Sequence, residues 1–277
     1  MIIRHRHTWS HGCDCCCCDL DPLLFDLFPG AAVGYSVRKL SSTYEGAAMQ
    51  VRRSSDNTTL DIGFVGEDLD TASLLAFAGA GSAFVSIWYD QSGFGRNAIQ
   101  ATAANQPRIV NAGVLDVEGT QPTLFFDGTN DRLVISNIGT NTQPFTILRV
   151  FRGITTGTTS PFVQSTSGLV TLYSTALIAA RMNAGFLYTL ATGPITSYQS
   201  THNFFNTVSS FQYFNGVDSA TGNAGGDPLS GSIYIGSNFS ETTFRSLVQQ
   251  ELIIYPTDES TNRVSIEANI NAYYNIY

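Results

Sequence analysis

The sequence predicts an all-β fold, an antiparallel β-sandwich that also contains a short internal helix and a C-terminal helix. Three observations support this prediction. Short apolar runs, many of which alternate with polar residues, follow one another closely along the chain. Turn residues separate these runs, and Asn215-Gly216 is the strongest hairpin signal. Hydrophobic residues make up 43% of the 277 residues, which is enough for the core of one large sandwich.

The predicted strands of the first half of the chain are short and closely spaced. They cover residues 32–40, 48–53, 59–64, 83–90, 108–115, 123–127, 132–136 and 144–152. In the last of these, Phe145 and Ile147 share one face, whereas Leu148 and Val150 share the other. A strand with apolar side chains on both faces is typical of the interior of a sandwich.

Two helices are predicted. Asp70 can cap a short helix that Gly79 and Gly81 terminate. The second helix is predicted to begin at residues 256–258, and its apolar residues recur at helical spacing. These apolar residues are Ile266, Ile270, Tyr273 and Tyr277. We expect their stripe to cover one edge or face of the sandwich.

All cysteines and most histidines lie near the N-terminus, before the predicted sandwich. They are His5, His7, His11, Cys13, Cys15, Cys16, Cys17 and Cys18. We therefore divide the chain into a Cys/His-rich anchoring segment, residues 1–30, and a β-sandwich domain, residues 31–277. Thiolates and imidazoles are metal ligands, so one interpretation is a site for Zn or Fe. Consecutive cysteines point to opposite sides of an extended chain, so intermolecular disulfides are a second interpretation, and a third is that neither forms.

The charge pattern restricts the partners. The net charge is −8, which argues against nucleic acid as the main partner, because phosphate binding needs a basic surface. No apolar stretch of about 18 residues is present, so we expect no membrane insertion. The N-terminus lacks the apolar segment of a secretory signal, so we expect synthesis in a host cytoplasm. A surface rich in Ser, Thr and Asn is typical of β proteins that work outside cells. A virion that is released by lysis would reconcile cytoplasmic synthesis with such a surface.

Several short motifs together resemble a known family. They are Tyr44-Glu45-Gly46, Arg52-Arg53-Ser54-Ser55-Asp56-Asn57, Trp88-Tyr89-Asp90-Gln91-Ser92-Gly93, Gly95-Arg96-Asn97 and Ile254-Tyr255-Pro256-Thr257-Asp258. Residues 33–277 resemble the catalytic domain of fungal α-L-arabinofuranosidase B, and are still more similar to concanavalin A-like, laminin-G-like domains of bacteriophage tail and structural proteins. The resemblance implies a concanavalin A-like β-sandwich, or jelly roll, of two curved antiparallel sheets.

The resemblance also implies sugar chemistry, which requires particular residues. A retaining glycosidase needs two carboxyl groups about 5 Å apart. The family's nucleophile lies in an Asp-Leu-Glu-Asn-Gly stretch, but no Asp or Glu lies between Tyr173 and Phe214. The family's acid lies in a Gly-Asp-Asn turn, and Ser237 occupies the matching position, where a hydroxyl cannot replace the acid. The family's active-site cysteine pair has no counterpart either, so we expect a sandwich without the hydrolytic apparatus.

The loop after the fourth predicted strand is a candidate glycan-binding site. Its candidate residues are Trp88, Asp90, Gln91 and Asn97. In the functional interpretation the polar side chains hydrogen-bond a sugar, and Trp88 or Tyr89 stacks on it. In the structural interpretation, which we favour, the segment is a turn held by its own side chains.

Other polar groups have simple structural interpretations. Asp127, Asn130 and Asp131 could bind calcium through oxygen ligands, although a solvated turn is favoured. Asp258 and Glu259 are predicted to stabilise the start of the last helix, where negative charge is favourable.

Two further groups are predicted to be structural. Arg52, Arg53, Asp56 and Glu45 are predicted to form a surface ion-pair cluster. His202 is predicted to be a structural loop residue rather than a base.

These features lead to three hypotheses. The first is a non-enzymatic bacteriophage virion protein of the tail, a fibre or the capsid surface, attached to other virion proteins through residues 1–30. It would be a homotrimer whose lectin-like sandwich binds host glycans with useful avidity. The alternative is a glycoside hydrolase of the arabinofuranosidase type that acts on surface polysaccharide. The third is a cement protein that binds no sugar.

Overall fold

The computed structural model describes residues 22–154, 160–167, 171–175, 179–184, 187–192 and 197–277. Over these ranges the chain forms an antiparallel β-sandwich around a continuous hydrophobic core, which confirms the predicted fold class. The predicted Cys/His site, from His5 to Cys18, lies outside the described residues. Its zinc, iron or disulfide chemistry and its anchoring role therefore stay predictions.

Each predicted strand of the first half has a strand that begins within one residue of its predicted start, and the structure adds several two-residue strands that were not predicted separately. They are β1 (Val33–Ser36), β2 (Met49–Arg53), β3 (Thr59–Ile62), β4 (Phe64–Val65), β5 (Asp68–Leu69), β6 (Ala83–Trp88), β7 (Ala98–Ile99), β8 (Arg108–Asn111), β9 (Val114–Leu115), β10 (Val117–Glu118), β11 (Gln121–Pro122), β12 (Leu124–Asp127), β13 (Leu133–Ile135) and β14 (Thr140–Asn141).

The second half contributes longer strands. They are β15 (Phe145–Gly153), β16 (Ser160–Ser167), β17 (Thr171–Thr175), β18 (Ala179–Asn183), β19 (Leu187–Thr192), β20 (Gln199–Phe205), β21 (Ser210–Phe214), β22 (Val217–Gly222), β23 (Leu229–Ile235) and β24 (Ser246–Tyr255). The helices are α1 (Leu24–Leu27), α2 (Thr71–Ala78) and α3 (Arg263–Tyr274). No described helix has the length and apolarity needed to cross a membrane.

Two layers of strands enclose the core. In the first layer β15 lies between β20 and β24, β20 continues to β21 and β22, and β24 also pairs with β1 and β12. In the second layer β3, β2, β6, β7, β13 and β23 pair in that order, followed by β16 to β19. Strand β12 also pairs with β8 through Phe125 and Arg108, so it connects the two layers along one edge.

Strands β15 and β24 are the interior strands that the sequence predicts. All of β24 is buried, and so is β15 except for Arg152. The core between the layers covers one face, and α3 covers the other, where the Tyr274 hydroxyl donates to Glu251 at 3.1 Å. The hairpin prediction is confirmed as well: Asn215 and Gly216 have φ of 49° and 75°, and Phe214 pairs with Val217.

The internal helix forms as predicted, but the last helix begins later. Asp70 caps α2 by accepting from the Ser73 N–H at 3.0 Å. The predicted start of α3 at residues 256–258 is wrong, because Thr146 Oγ1 donates to the Thr257 carbonyl at 2.9 Å and accepts from the Glu259 N–H at 3.0 Å. These bonds hold the chain in a turn before the helix. Asp258 and Glu259 therefore lie before its first turn, where Glu259 Oε2 accepts from the side chain of the N-cap residue Asn262 at 2.7 Å.

The residues just before β1 belong to the sandwich core. Leu24 and Phe25 are buried, and the Phe25 ring meets the Tyr255 ring edge-on at 6.3 Å. Phe25 also lies against Gly34, where a Cβ would be 2.3 Å from the ring. The predicted boundary at residue 30 thus separates residues that share one core.

Candidate functional site

The segment from Asp90 to Asn97 is a turn held by its own side chains. The Asp90 carboxylate is 4% exposed and accepts from the N–H groups of Gly34 and Ser92, both at 2.9 Å, and from the Arg96 N–H at 3.1 Å. Asn97 Oδ1 accepts from the Asp90 N–H at 3.0 Å. These hydrogen bonds are the ones expected if the segment is a structural turn held by its own side chains.

Trp88 and Gln91 lie in the interior beside this turn. The Trp88 ring is fully buried, and its Nε1 donates to the Ser36 carbonyl at 3.3 Å. Gln91 Oε1 accepts from the Leu40 N–H at 2.8 Å. Since a ring without exposed surface offers no platform for a sugar, the structure assigns this segment a supporting role, and glycan binding here stays a prediction.

A different part of the surface has the shape of a ligand site. A pocket of about 420 Å³ opens over four strands, β2, β6, β8 and β12. Residues paired across antiparallel strands point to the same face, so the register aligns one residue from each strand. The aligned residues are Arg52, Phe84, Arg108 and Phe125. The Arg52 guanidinium lies 4.9 Å from the Phe84 ring centroid, and that of Arg108 lies 4.6 Å from the Phe125 centroid.

Two carboxyl groups line one end of this pocket. Asp127 ends β12 and is exposed, whereas Asp131 is only 6% exposed. The Asp127 N–H donates to Asp131 Oδ2 at 2.9 Å, and Asp127 Oδ1 accepts from the Thr129 N–H at 2.7 Å. Gly128 completes the turn with φ of +81°, and a Cβ there would lie 2.7 Å from the Ser246 nitrogen. The turn interpretation of this loop therefore describes its backbone, and both Asp127 and Asp131 also line the pocket.

The two carboxyl groups differ in their surroundings. The pKa of Asp131 is raised to about 7, mainly by burial and in smaller part by the negative charge of Asp127, against the opposing effects of the Asp127 N–H and the Arg108 guanidinium. Asp131 therefore holds its proton to a higher pH than an ordinary aspartic acid does. A protonated acid next to an exposed carboxylate is the arrangement that general acid catalysis uses. No group of three or more His, Cys, Asp or Glu residues in the described ranges could hold a metal ion, so this loop is not identified as a calcium site.

The two arginines of the pocket have different partners. Arg108 forms a bidentate ion pair with Asp116, with bonds of 2.8 and 3.0 Å. Arg52 donates to neutral oxygens, which are Gln106 Oε1 at 2.8 Å, Asn57 Oδ1 at 2.9 Å and the Ala103 carbonyl at 3.1 Å.

The predicted surface ion-pair cluster therefore forms only in part. Arg53 pairs with Asp56 at 2.5 Å, as the sequence predicts. Arg52 belongs to the pocket instead, since cross-strand register places it beside Phe84. Glu45 lines a separate pocket with Lys39 and Asp61.

The position that matches the family's acid carries no acid function. Ser237 is fully buried, and its Oγ has no hydrogen-bond partner among the described residues.

His202 lies in strand β20, so the prediction that it is a loop residue is wrong. Burial lowers the pKa of its imidazole to about 3. Its Nδ1 is 3.9 Å from Glu267 Oε1 at the interface between β20 and α3, which indicates a structural role.

Two carboxylates outside the pocket are ion-paired. Glu251 is buried and binds Arg38 at 2.8 Å. Glu241 is exposed and binds Arg132 at 2.6 Å.

Sequence reasoning named Asp127 and Asp131 but did not connect them with Arg52, Phe84, Arg108 and Phe125. The connection depends on strand register, which local patterns do not reveal. The one available signal was the polar loop that directly follows an apolar strand whose outer face carries Phe125.

One family model and several solved structures are similar to this chain. The model of the family "Alpha-L-arabinofuranosidase B, catalytic" matches residues 27–122. The match includes β2, β6 and β8, and thus Arg52, Phe84 and Arg108. No curated protein sequence matches the chain.

Solved structures of arabinofuranosidases share the fold. One is an arabinofuranosidase complexed with arabinofuranosyl-α-1,2-xylobiose, with 17% identity and a TM-score of 0.70. Another is a GH54 α-L-arabinofuranosidase soaked with a cyclic sulfate inhibitor, with 16% identity and a TM-score of 0.69. A third, a mutant of a GH54 enzyme soaked with 4-nitrophenyl α-L-arabinofuranoside, has 16% identity and a TM-score of 0.61. Each alignment covers 88% of this chain and 63% of the other, so this chain spans under two thirds of those proteins.

These findings correct the first functional hypothesis. The matched family and the solved structures with this fold are arabinofuranosidases, so the interpretation as a non-enzymatic bacteriophage virion protein is wrong. They favour the alternative, a glycoside hydrolase, and oppose the expectation that the chain is not an enzyme. The homotrimer, the partners bound through residues 1–30 and the location stay untested predictions.

Proposed function

We propose that this chain is a glycoside hydrolase domain that cleaves α-L-arabinofuranosides in the pocket lined by Asp127 and Asp131. The observation that carries the proposal is the pair of carboxyl groups in one pocket, one of them buried and with a pKa of about 7. Most glycoside hydrolases use two carboxyl groups with different protonation states at the cleaved bond. The family match over residues 27–122 supports the same reaction class.

Asp131 is the proposed general acid. Its Oδ2 accepts the Asp127 N–H, which leaves Oδ1 to carry the proton towards the pocket. As the bond between the anomeric carbon and the glycosidic oxygen breaks, the proton moves to that oxygen, and the leaving sugar departs as an alcohol. A group whose pKa lies near the working pH is well matched to this transfer.

Asp127 is the proposed second carboxylate. When the glycosidic bond breaks, the sugar ring acquires positive charge, which a nearby carboxylate stabilises. Water then supplies the hydroxyl group at the anomeric carbon, and its proton returns to the carboxyl pair. Because Asp127 is exposed at the pocket end, its carboxylate is accessible to a bound sugar.

The test is hydrolysis of 4-nitrophenyl α-L-arabinofuranoside by the purified protein. We expect release of 4-nitrophenol, and losses of about 10² to 10⁴ in kcat/KM for Asp131→Asn and for Asp127→Asn. Asp218→Asn is the matched control, because Asp218 is an exposed carboxylate on the distant β21–β22 hairpin. Absence of turnover, or full activity in Asp131→Asn, would show that the proposal is wrong.

A further inference from the structure

We propose that the Arg52 end of this pocket binds the carboxylate of a uronic acid, so that the substrate is an acidic glycan. This inference rests on the proposed function for its catalytic meaning, but the subsite can be tested by binding alone.

Arg52 is a partly buried cation without an anionic partner among the described residues. A guanidinium has five N–H donors, and the bonds to Gln106, Asn57 and Ala103 use three of them, which leaves two. Burial lowers the pKa of Arg52, and no neighbouring carboxylate opposes this effect. By contrast, the next arginine along the chain, Arg53, is paired with Asp56. Partial burial of a cation without an anionic partner has a cost, and a ligand carboxylate would offset it.

The Arg52 side chain is held in place before any ligand arrives. Gln106, which fixes its Nε–H, is only 4% exposed and is itself held by a bond of 2.8 Å from its Nε2 to the Gln100 carbonyl. The Phe84 ring supports the guanidinium from below at 4.9 Å. Preorganisation of this kind reduces the entropy lost on binding. A planar guanidinium with free N–H groups matches the geometry of a carboxylate.

The position of Arg52 places the carboxylate on a sugar next to the cleaved one. Arg52 on β2 and Phe125 on β12 are separated by three strand spacings, or about 14 Å. Both ends line the same pocket, with the Arg108–Asp116 pair between them. The pocket therefore has a basic end and an acidic end. Since the whole chain carries a net charge of −8, an acidic glycan needs such a local positive group in order to bind.

The experiment compares trigalacturonic acid with its fully methyl-esterified form by isothermal titration calorimetry at low salt. The ester has the same sugar units without the charge. We expect the acid to bind at least about tenfold more tightly than the ester, and this preference to disappear in Arg52→Gln. Arg53→Gln is the control, because it removes a neighbouring arginine of the same strand and should keep the preference. Arg52→Lys, which retains the positive charge but not the planar guanidinium, should bind the acid with intermediate affinity.

The outcomes separate the two proposals. Equal binding of acid and ester, no binding of either, or an equal loss in both glutamine variants would overturn the acidic subsite. Binding of the acid that depends on Arg52, in a protein that hydrolyses no arabinofuranoside, would leave the subsite standing and refute the proposed reaction. Higher salt should weaken binding of the acid and not of the ester.

Discussion

The backbone N–H of Asp127 donates a hydrogen bond of 2.9 Å to Oδ2 of Asp131, so the two carboxyl residues of the pocket belong to one closed turn. The same turn buries Asp131 and exposes Asp127. A single loop therefore gives two identical side chains different surroundings, and burial raises the pKa of Asp131 to about 7. Such a difference is what divides two carboxyl groups into an acid and a base or nucleophile.

The first prediction concerns the pH dependence of hydrolysis. Because the acid form of Asp131 is required, activity should fall as the pH rises through about 7. The Arg108 guanidinium lowers the pKa of Asp131, so Arg108→Gln should raise that pKa and move the decline to higher pH. The measurement is kcat/KM between pH 4 and 10. Arg152→Gln, which removes an arginine paired with Glu118 outside the pocket, should leave the profile in place. A decline that stays in place in Arg108→Gln, or moves to lower pH, would contradict the assignment.

The second prediction concerns stability. The pKa of Asp131 is about 7 in the folded chain and about 3.9 in an unfolded one, so its ionisation is disfavoured by folding. The resulting contribution to stability is fully present below about pH 4 and is lost as the pH rises through 7. Asparagine keeps the acceptor for the Asp127 N–H but cannot ionise. Asp131→Asn should therefore be more stable than the parent at pH 8, on the order of 1–3 kcal/mol, while it is less active.

Urea unfolding at pH 4 and pH 8 measures this effect. The free energy of unfolding of the parent should fall between the two values more steeply than that of Asp131→Asn. The free energy of unfolding of Asp218→Asn should follow that of the parent at both pH values. Parallel pH dependence in the parent and Asp131→Asn would mean that Asp131 titrates normally.

The third prediction concerns the buried ion pair between the layers and α3. Glu251 accepts bonds from Arg38 and Ser36, both at 2.8 Å. Glu251→Gln would leave the Arg38 charge buried without its anion, so we expect a loss of about 3–5 kcal/mol in the free energy of unfolding. The exposed pair Arg53–Asp56 is the comparison, and Asp56→Asn should change stability very little. Similar losses in both variants, measured by chemical denaturation, would mean that burial of the first pair has no special effect.

The local sequence predicts the strands well because their alternation reflects which face is buried. The predicted strand at 48–53 corresponds to β2, and Asp70 and Gly79 limit α2 as expected. The start of α3 escaped prediction, because Thr146, which lies 111 positions earlier, holds the preceding turn. Contacts of that range leave no local signature in the chain.

The candidate site was harder to predict than the fold. Each of its residues has an ordinary explanation within its own segment, and only the register of β2, β6, β8 and β12 unites them. The pKa of Asp131 likewise depends on burial, which is a tertiary property. Trp88 shows the same limit of local patterns, because an aromatic residue beside a polar loop is typical both of sugar sites and of buried turns, and only the tertiary structure shows that its ring is buried.

The fourth prediction concerns Gly236, which follows β23 in the second layer and packs against the turn that carries Asp131. Gly236 has φ of +86°, and a Cβ at this position would lie 2.6 Å from the Phe126 ring and 3.2 Å from the Asp131 carbonyl oxygen. Gly236→Ala should therefore cost about 1–3 kcal/mol of stability and, by moving the Asp131 turn, also lower kcat. Gly63→Ala is the control, since a Cβ there meets no atom within 4 Å and φ is not positive. Thermal unfolding and hydrolysis of the two variants, measured side by side, provide the test. If Gly236→Ala lost stability but kept full activity, the turn would not need this support, whereas equal behaviour of the two variants would show that the close packing at Gly236 is not constraining.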